Sequence, residues 1–375
     1  MSLFVSCATA LEPLLMDELQ ELGVEHIHAG YRGVYVDEWS WPLIYRINYA
    51  SRLASRVLLP LRRFKCFDRH SLYREASEID WSVLISARHS FAIDANVQHR
   101  ELRNSLFAAQ VVKDAICDQI RQKTGQRPNI DLQNPDVQIN LYIQKTMGVI
   151  SFDTSGMPLH KRGYRQESGV APLQETLAAA LLRIAKYSKD HILFDPCCGS
   201  GTLLTEAALI ATNTPPGYLR RQWGFMRHPS YDQMAWLKVR NTLDENRCPL
   251  AAQHLYGIDA SKEAVRICKI NLKAAGFNKE IEVLQADFRD FTPAIAPDLI
   301  LTNPPHGRRL EEEESLRPLY RALGEFIKQK STRPSKGFIF TGSLELAKEV
   351  GLASTRRYVL NNGGMDARLL EYDVY

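Results

Sequence analysis

After residue 153 the chain repeats one pattern, a short apolar stretch followed by a helix-length segment. Ile192 to Phe194, Leu255 to Ile258, Ile281 to Leu284, Leu299 to Leu301 and Gly337 to Thr341 are the apolar members. Strands separated by helices do not pair as hairpins. They pair in parallel through right-handed crossovers, which demands a sheet with helices on both faces. Leu173 to Ala185 reads as an amphipathic helix at the entrance to this region. At its far end, Tyr358 to Leu360 and Leu369 to Tyr375 flank Asn361-Asn362-Gly363-Gly364-Met365, a turn suited to an antiparallel hairpin. The expectation is α/β, a doubly wound sheet with an antiparallel edge.

The first 155 residues read differently. Leu3 to Cys7 and Gly33 to Val36 look like strands, and Leu11 to Leu22 has helical periodicity. Ser90 to Val97 is extended, and Asn104 to Lys123 forms a helix that stops near Gly125 and Pro128. Val137 to Ile143 alternates apolar and polar residues, with Gly148 to Phe152 as its hairpin partner. This is an α+β region. Arg52, Arg56, Arg62, Arg63, Lys65, Arg69 and Arg74, then Arg100, Arg103 and Lys113, crowd it. That cluster fits an anionic partner, and a merely solvated surface accounts for it equally well.

A length of 375 residues implies two or three domains, since single cores seldom exceed about 250 to 300 residues. No run of eighteen apolar residues occurs, and the N-terminus lacks a basic stretch before a long apolar one, so a cytoplasmic protein with no membrane partner is expected. The seven cysteines show neither metal-ligand nor disulfide spacing; reduced, mostly buried thiols and no metal are expected. A formal charge of +4 permits nucleic-acid binding without requiring it.

Two short motifs carry chemistry. Asp195-Pro196-Cys197-Cys198-Gly199-Ser200-Gly201-Thr202 is a glycine turn between a strand and a helix. Gly199 and Gly201 let the backbone pass close under a ligand, and the following helix aims free N–H groups at it. With no lysine in the turn, a triphosphate is poorly served. Asp195, Asp259 and Asp287 end three successive strands beside this turn, where carboxylates can meet a cationic methionine end, ribose hydroxyls and an adenine. Each is equally explicable alone as a helix N-cap. S-adenosylmethionine is the cofactor this set favours, with Cys197, Ser200 and Thr202 of the same turn counted in its site. The stretch Thr212 to Arg247, rich in Trp223, Phe225, Tyr231 and Trp236, reads as an insertion, open either to a substrate-facing role or to plain packing.

The second motif, Thr302-Asn303-Pro304-Pro305-His306-Gly307, follows another strand. An exocyclic amine on a nucleobase is a poor nucleophile because its lone pair is delocalised into the ring. If the Asn303 side-chain carbonyl and a backbone carbonyl from Pro304 or Pro305 take its two protons, the nitrogen can direct its lone pair at an electrophilic methyl. The proline rings hold that backbone extended, and His306 offers a ring to stack on the base. No metal or covalent nucleophile is needed.

Longer blocks extend the pattern: Phe152 to Gly156, Leu159 to Arg165, Ala171 to Ala179, Pro215-Pro216-Gly217, and Asn362-Gly363-Gly364 with Arg368-Leu369. With the two motifs, these make the chain resemble the THUMP-containing class I methyltransferases over nearly its whole length. Within them it is similar to the bacterial family that methylates guanine N2 of 23S ribosomal RNA. The resemblance implies a Rossmann-like domain over 156–375, with a seven-stranded sheet and antiparallel edge hairpin. Ahead of it come a ferredoxin-like segment over 1–64 and a THUMP RNA-binding domain over 65–155. It implies that Asp195, Gly199, Gly201, Asp259 and Asp287 hold the cofactor, and that Asn303, Pro304, Pro305 and His306 form the catalytic motif. The family usually has tyrosine where this chain has His306. Some members carry a second methyltransferase half, not expected here because the sequence stops at Tyr375.

The partner implied is RNA, 23S rRNA first and tRNA as the alternative; short motifs do not separate a tRNA guanine-N2 enzyme from an rRNA one. DNA adenine and protein glutamine methyltransferases share Asn-Pro-Pro followed by an aromatic but lack the N-terminal RNA-grip region. A ribosome-assembly protein without catalysis is the rival from another class, and retention of Asn303 and the three carboxylates argues against it. The target nucleotide and the oligomeric state are not legible.

Overall fold

A computed structural model describes residues 1–102, 104–169, 172–306, 310–362 and 364–375. Arg103, Ala171, Gly307 and Gly363, all used in the sequence reading, lie outside the described residues. Two compact units emerge. The first gathers Met1–Cys7, Leu15–Leu159 and Arg220–Asn241, and the second Ala8–Leu14, His160–Leu219 and Thr242–Tyr375.

In the first unit, β1 (Leu3–Ser6), β2 (Ile27–Gly30), β3 (Gly33–Val36), β4 (Arg56–Lys65), β5 (Ser90–Gln98), β6 (Asn129–Ile130), β7 (Val137–Gln144) and β8 (Met147–Asp153) form one eight-stranded sheet. Its order is β2, β3, β1, β4, β8, β7, β5, β6. The helices are α1 (Glu12–Glu21), α2 (Trp41–Ala50), α3 (Arg69–Ser77), α4 (Trp81–Leu84) and α5 (Ser105–Thr124). Period-two burial is clear along β7, where Val137, Ile139, Leu141 and Ile143 are fully buried and the intervening residues are not. Helix α5 begins where Asn104 Oδ1 accepts the Leu106 N–H at 2.8 Å and ends at Gly125, whose φ of 72° opens the left-handed region.

Strand β4 was not expected as a strand, because its sequence reads as part of a basic cluster. It pairs with β1 on one side and β8 on the other, with a register shift between Pro60 and Arg62. Its tertiary neighbours neutralise part of that charge. Arg56 pairs with Asp153 and, at 3.7 Å, with Asp94, while Arg62 reaches Glu75 at 2.7 Å. Arg63 and Lys65 stay exposed.

The second unit holds β9 (Leu193–Asp195), β10 (Leu255–Asp259), β11 (Glu282–Gln285), β12 (Leu299–Thr302), β13 (Ser335–Thr341), β14 (Arg356–Asn362) and β15 (Met365–Val374). The sheet order is β11, β10, β9, β12, β13, β15, β14; the first five run parallel and β15 lies antiparallel between β13 and β14. This is the expected doubly wound, seven-stranded sheet with its edge hairpin. The unit's helices are α6 (Glu175–Ile184), α7 (Thr202–Ala211), α9 (Lys262–Ala275), α10 (Leu310–Lys330) and α11 (Leu344–Glu349), whereas most of α8 (Gln233–Asp244) belongs to the first unit. Phe194, Ile300 and Ile339 from the middle strands pack with Tyr320, Leu323 and Ile327 of α10. Contrary to the amphipathic reading, all eight residues from Glu175 to Leu182 in α6 are buried. Helix α7 packs against α6, so burial extends beyond a single apolar stripe.

Of the two roles open to the aromatic insertion, the fold selects packing. Arg220–Asn241 belongs to the first unit, where Trp223, Phe225, Tyr231 and Trp236 surround Tyr45 and Tyr49; Phe225 lies 4.7 Å from Tyr45 and Trp236 5.3 Å from Tyr49, centroid to centroid. Gly224 passes so close to β8 that a Cβ there would sit 2.2 Å from the Asp153 carbonyl oxygen. Packing, rather than a substrate-facing role, accounts for these aromatics. Among the described residues no helix is long and apolar enough to cross a membrane. All seven cysteines are free, five of them buried.

Candidate active site

The order of the second sheet reverses between β9 and β12, both parallel and both starting from the centre, so their carboxyl ends open a crevice. Asp195 ends β9 and is 1% exposed. Its Oδ1 accepts the Thr302 hydroxyl at 2.7 Å and the Cys197 N–H at 3.1 Å. Burial pushes its carboxyl up to about 7, against those two bonds, which favour the charged form. The same burial pushes the Cys197 thiol well up, so it stays protonated.

The glycine turn follows. Gly199 has φ of 53° and Gly201 of 79°, both in the left-handed region. Around Gly199 a Cβ would meet nothing within 4 Å, whereas at Gly201 it would lie 2.4 Å from Cys268 Sγ on α9. One glycine therefore borders open space, and the other is fixed by packing. Gly201 precedes α7 without a side-chain cap, leaving the first N–H groups of the helix for another acceptor.

Asp259 ends β10. Its Oδ2 accepts the Gly199 N–H at 3.0 Å and its Oδ1 the Ser261 N–H at 2.9 Å, so it ties the turn to the neighbouring strand while each oxygen keeps a lone pair. Asp287, past β11, caps a short 3-10 turn and chelates Arg289, which holds its carboxyl below the usual range. The Asp259 charge adds to the upward push on the Asp195 carboxyl. Asp287 stands further out, engaged by Arg289.

Asn303 leaves β12 directly after Thr302, so the Thr302–Asp195 bond brings the Asn303 motif and the glycine turn to the same end of the sheet. Asn303 Oδ1 is buried and has no hydrogen-bond partner. Pro304 is buried and Pro305 exposed. His306 Nδ1 lies 3.4 Å from the Pro304 carbonyl oxygen, and its ring abuts Gly342, where a Cβ would be 3.2 Å from His306 Cδ2. Gly342 follows β13, so a third strand end shapes the site.

A strap that the sequence reading treated only as part of a resemblance braces the turn. Arg165 donates to Glu175 Oε1 at 2.7 Å, the Leu173 carbonyl at 2.8 Å, Thr202 Oγ1 at 3.0 Å and Ser200 Oγ at 3.3 Å. Arg162 and the Tyr164 hydroxyl converge on Glu206 of α7, at 3.4 and 2.9 Å. Asn271 of α9 accepts the Gln166 N–H and donates to the Ser200 carbonyl. The available signal was Glu206, a charge amid the apolar Thr202-to-Ala211 helix, which demands a buried partner.

Comparisons with known proteins identify the family. Residues 162–371 match the RMKL-like methyltransferase domain, residues 68–153 the THUMP domain, and residues 2–58 the RlmL ferredoxin-like domain. A Hahella chejuensis protein named ribosomal RNA large subunit methyltransferase K/L is 40% identical over 385 residues, covering 100% of this chain and 53% of its own length. A Synechocystis sp. protein, whose name describes it as an RNA methyltransferase, is 36% identical over 373 residues, covering 99% of this chain and 96% of its own. The chain thus spans about half the length of the K/L relatives it matches. Among solved structures, SMU.472, described as a methyltransferase in complex with SAH, superposes with a TM-score of 0.87 at 25% identity, covering 100% of this chain and 98% of that one.

Proposed function

Because this chain belongs to the RMKL-like methyltransferase family, we propose that it transfers a methyl group from S-adenosylmethionine to the exocyclic N2 of a guanosine in 23S ribosomal RNA. The observation that carries the reading is the Asn303 side-chain oxygen, buried and unpaired at the strand end that also meets Asp195. Leaving such an acceptor unsatisfied costs about 1–3 kcal/mol, and a substrate N–H restores the bond.

The residues present fit the cofactor. Gly199 leaves room beside the turn, and a buried carboxyl poised near neutrality at Asp195 is suited to a cationic ligand. Asp259 and Asp287 are assigned to the ribose and adenine, with Cys197, Ser200, Gly201 and Thr202 lining the turn. Bound S-adenosylmethionine supplies an electrophilic methyl on a sulfonium.

The chain's own contribution is positioning. Asn303 Oδ1 and the Pro304 carbonyl take the two N2 protons, so the nitrogen lone pair turns out of the guanine plane toward the methyl. Pro304 and Pro305 stiffen the backbone that presents the second oxygen. His306, backed by Gly342, stacks on the base. As the new C–N bond forms and the methyl–sulfur bond breaks, its electron pair staying on sulfur, the positive charge that passes to N2 is stabilised by the two acceptors until one of its protons leaves to solvent. The N-terminal unit, with its THUMP domain, grips the RNA.

The test uses tritiated S-adenosylmethionine and RNA from cells lacking the gene, with mass spectrometry to locate the methylated nucleotide. Label in 23S rRNA as N2-methylguanosine is expected. Asn303→Ala should lower transfer roughly a hundredfold or more while cofactor affinity stays within a few fold. Label confined to tRNA, or comparable rates for variant and parent, would overturn the substrate or the clamp assignment respectively.

A further inference from the structure

The second unit contains a buried polar chain that the proposed chemistry does not use. Tyr320 of α10 is fully buried, and its hydroxyl lies 2.8 Å from Thr341 Oγ1 at the end of β13, joined to it by one hydrogen bond. Thr341 Oγ1 also accepts the Ser343 N–H at 3.1 Å, and Ser343 Oγ accepts the Leu346 N–H at 3.2 Å where α11 begins. Between Thr341 and Ser343 sits Gly342, whose backbone abuts the His306 ring. A Cβ there would stand 3.2 Å from Cδ2 and 3.4 Å from Nε2. One helix hydroxyl therefore ties down the corner that backs the ring.

The corner needs such a tie. The ladder between β13 and β15 ends at the Thr341–Arg368 pair, so Gly342 lies past the last paired residue. On its other side His306 is held by Nδ1 against the Pro304 carbonyl oxygen at 3.4 Å, a separation that restrains a ring weakly. The place of the imidazole is then set by the Gly342 wall, and the wall by Thr341. Packing alone does not call for the phenol oxygen, since phenylalanine would fill the same core volume with no buried hydroxyl to satisfy.

We propose that Tyr320 is a positioning residue for base recognition, acting through Thr341 and the Gly342 corner on the His306 ring. It reaches the base only through them. The proposal rests on the reading of His306 as the ring that stacks on the substrate base, and adds what keeps that ring in place.

The experiment measures steady-state methyl transfer to 23S rRNA from cells lacking the gene, by the full chain carrying Tyr320→Phe, His306→Ala or both, with S-adenosylmethionine affinity followed by calorimetry. His306→Ala should raise KM for RNA about tenfold, the loss expected for one stacked base. Tyr320→Phe should raise it by about three- to fivefold, no more than one buried hydrogen bond is worth, with kcat and cofactor affinity within about twofold of the parent. Added to His306→Ala, it should raise KM no further, because the wall then has no ring to back. Thr341→Val removes the same bond from its other end and should repeat both results, which separates the effect from a folding defect of one variant. A parent-like KM for Tyr320→Phe, or the same rise in both backgrounds, overturns the positioning role while leaving His306 on the base. A parent-like KM for His306→Ala, or no transfer by the parent, overturns the reading it rests on as well.

Discussion

Asp195→Asn tests the coupling between burial and cofactor charge. The Asp195 carboxyl sits near 7 in the folded chain, against about 3.9 for an exposed aspartate, a rise of about three units. At about 1.4 kcal/mol per unit, its ionisation costs the ligand-free fold about 4 kcal/mol at pH 8. Because the folded pKa is raised, the folded chain binds the proton more tightly. Stability from this group therefore falls as pH rises from about 4 to about 7 and is level above that. At pH 5 the cost is only between about 1 and 2 kcal/mol, so the parent should lose about 2.5 kcal/mol relative to the variant between pH 5 and pH 8. Both observed bonds end on Oδ1, so an asparagine oxygen in that place retains them. Urea unfolding of both proteins without cofactor, at pH 5 and pH 8, measures the difference directly and cancels other titrating groups. The variant should also bind S-adenosylmethionine at least tenfold more weakly at pH 8, with the gap closing toward pH 5. Identical pH dependence of stability in the two proteins would refute the argument.

Gly201→Ala combines left-handed backbone strain of about 1–2 kcal/mol with a methyl against Cys268 Sγ worth about 1–3 kcal/mol. Urea unfolding should show the sum, and adding Cys268→Ala should restore only the packing part. Arg162→Met leaves Glu206 buried without its cation and should cost about 3–5 kcal/mol, most of it recovered by adding Glu206→Gln; a single-variant loss under about 1 kcal/mol would contradict this. Gly342→Ala pushes the His306 ring by a few tenths of an ångström and should raise KM for RNA by several fold, roughly up to tenfold, with cofactor affinity unchanged; an unchanged KM would remove His306 from base recognition.

Much of the second unit was legible because its determinants are local. Apolar runs of strand length separated by helices fix parallel pairing, and the Asn361-to-Met365 turn fixes the edge hairpin, whose strands close up to the Asn362–Met365 pair. The glycine turn was legible for the same reason, since a left-handed φ at Gly199 and Gly201 is a property of the residue itself. Asn303 and Asp195 could each be singled out from their place after an apolar strand. Their connection through Thr302 could not, because it depends on β9 and β12 being adjacent across about a hundred residues of chain.

What the sequence by itself determined was the kind of each element and the chemistry it carries, through backbone preference, period and residue type. Only the tertiary structure decided which charges are spent on one another and which remain. It pairs Arg56 with Asp153 and Arg162 with Glu206, yet leaves Arg63 and Lys65 exposed. It also sends the aromatic insertion into the N-terminal unit and encloses α6 on every side. The reason is physical: burial and desolvation are set by neighbours distant in the chain, so a carboxyl such as Asp195 acquires its neutral-range pKa only when the sheet closes around it.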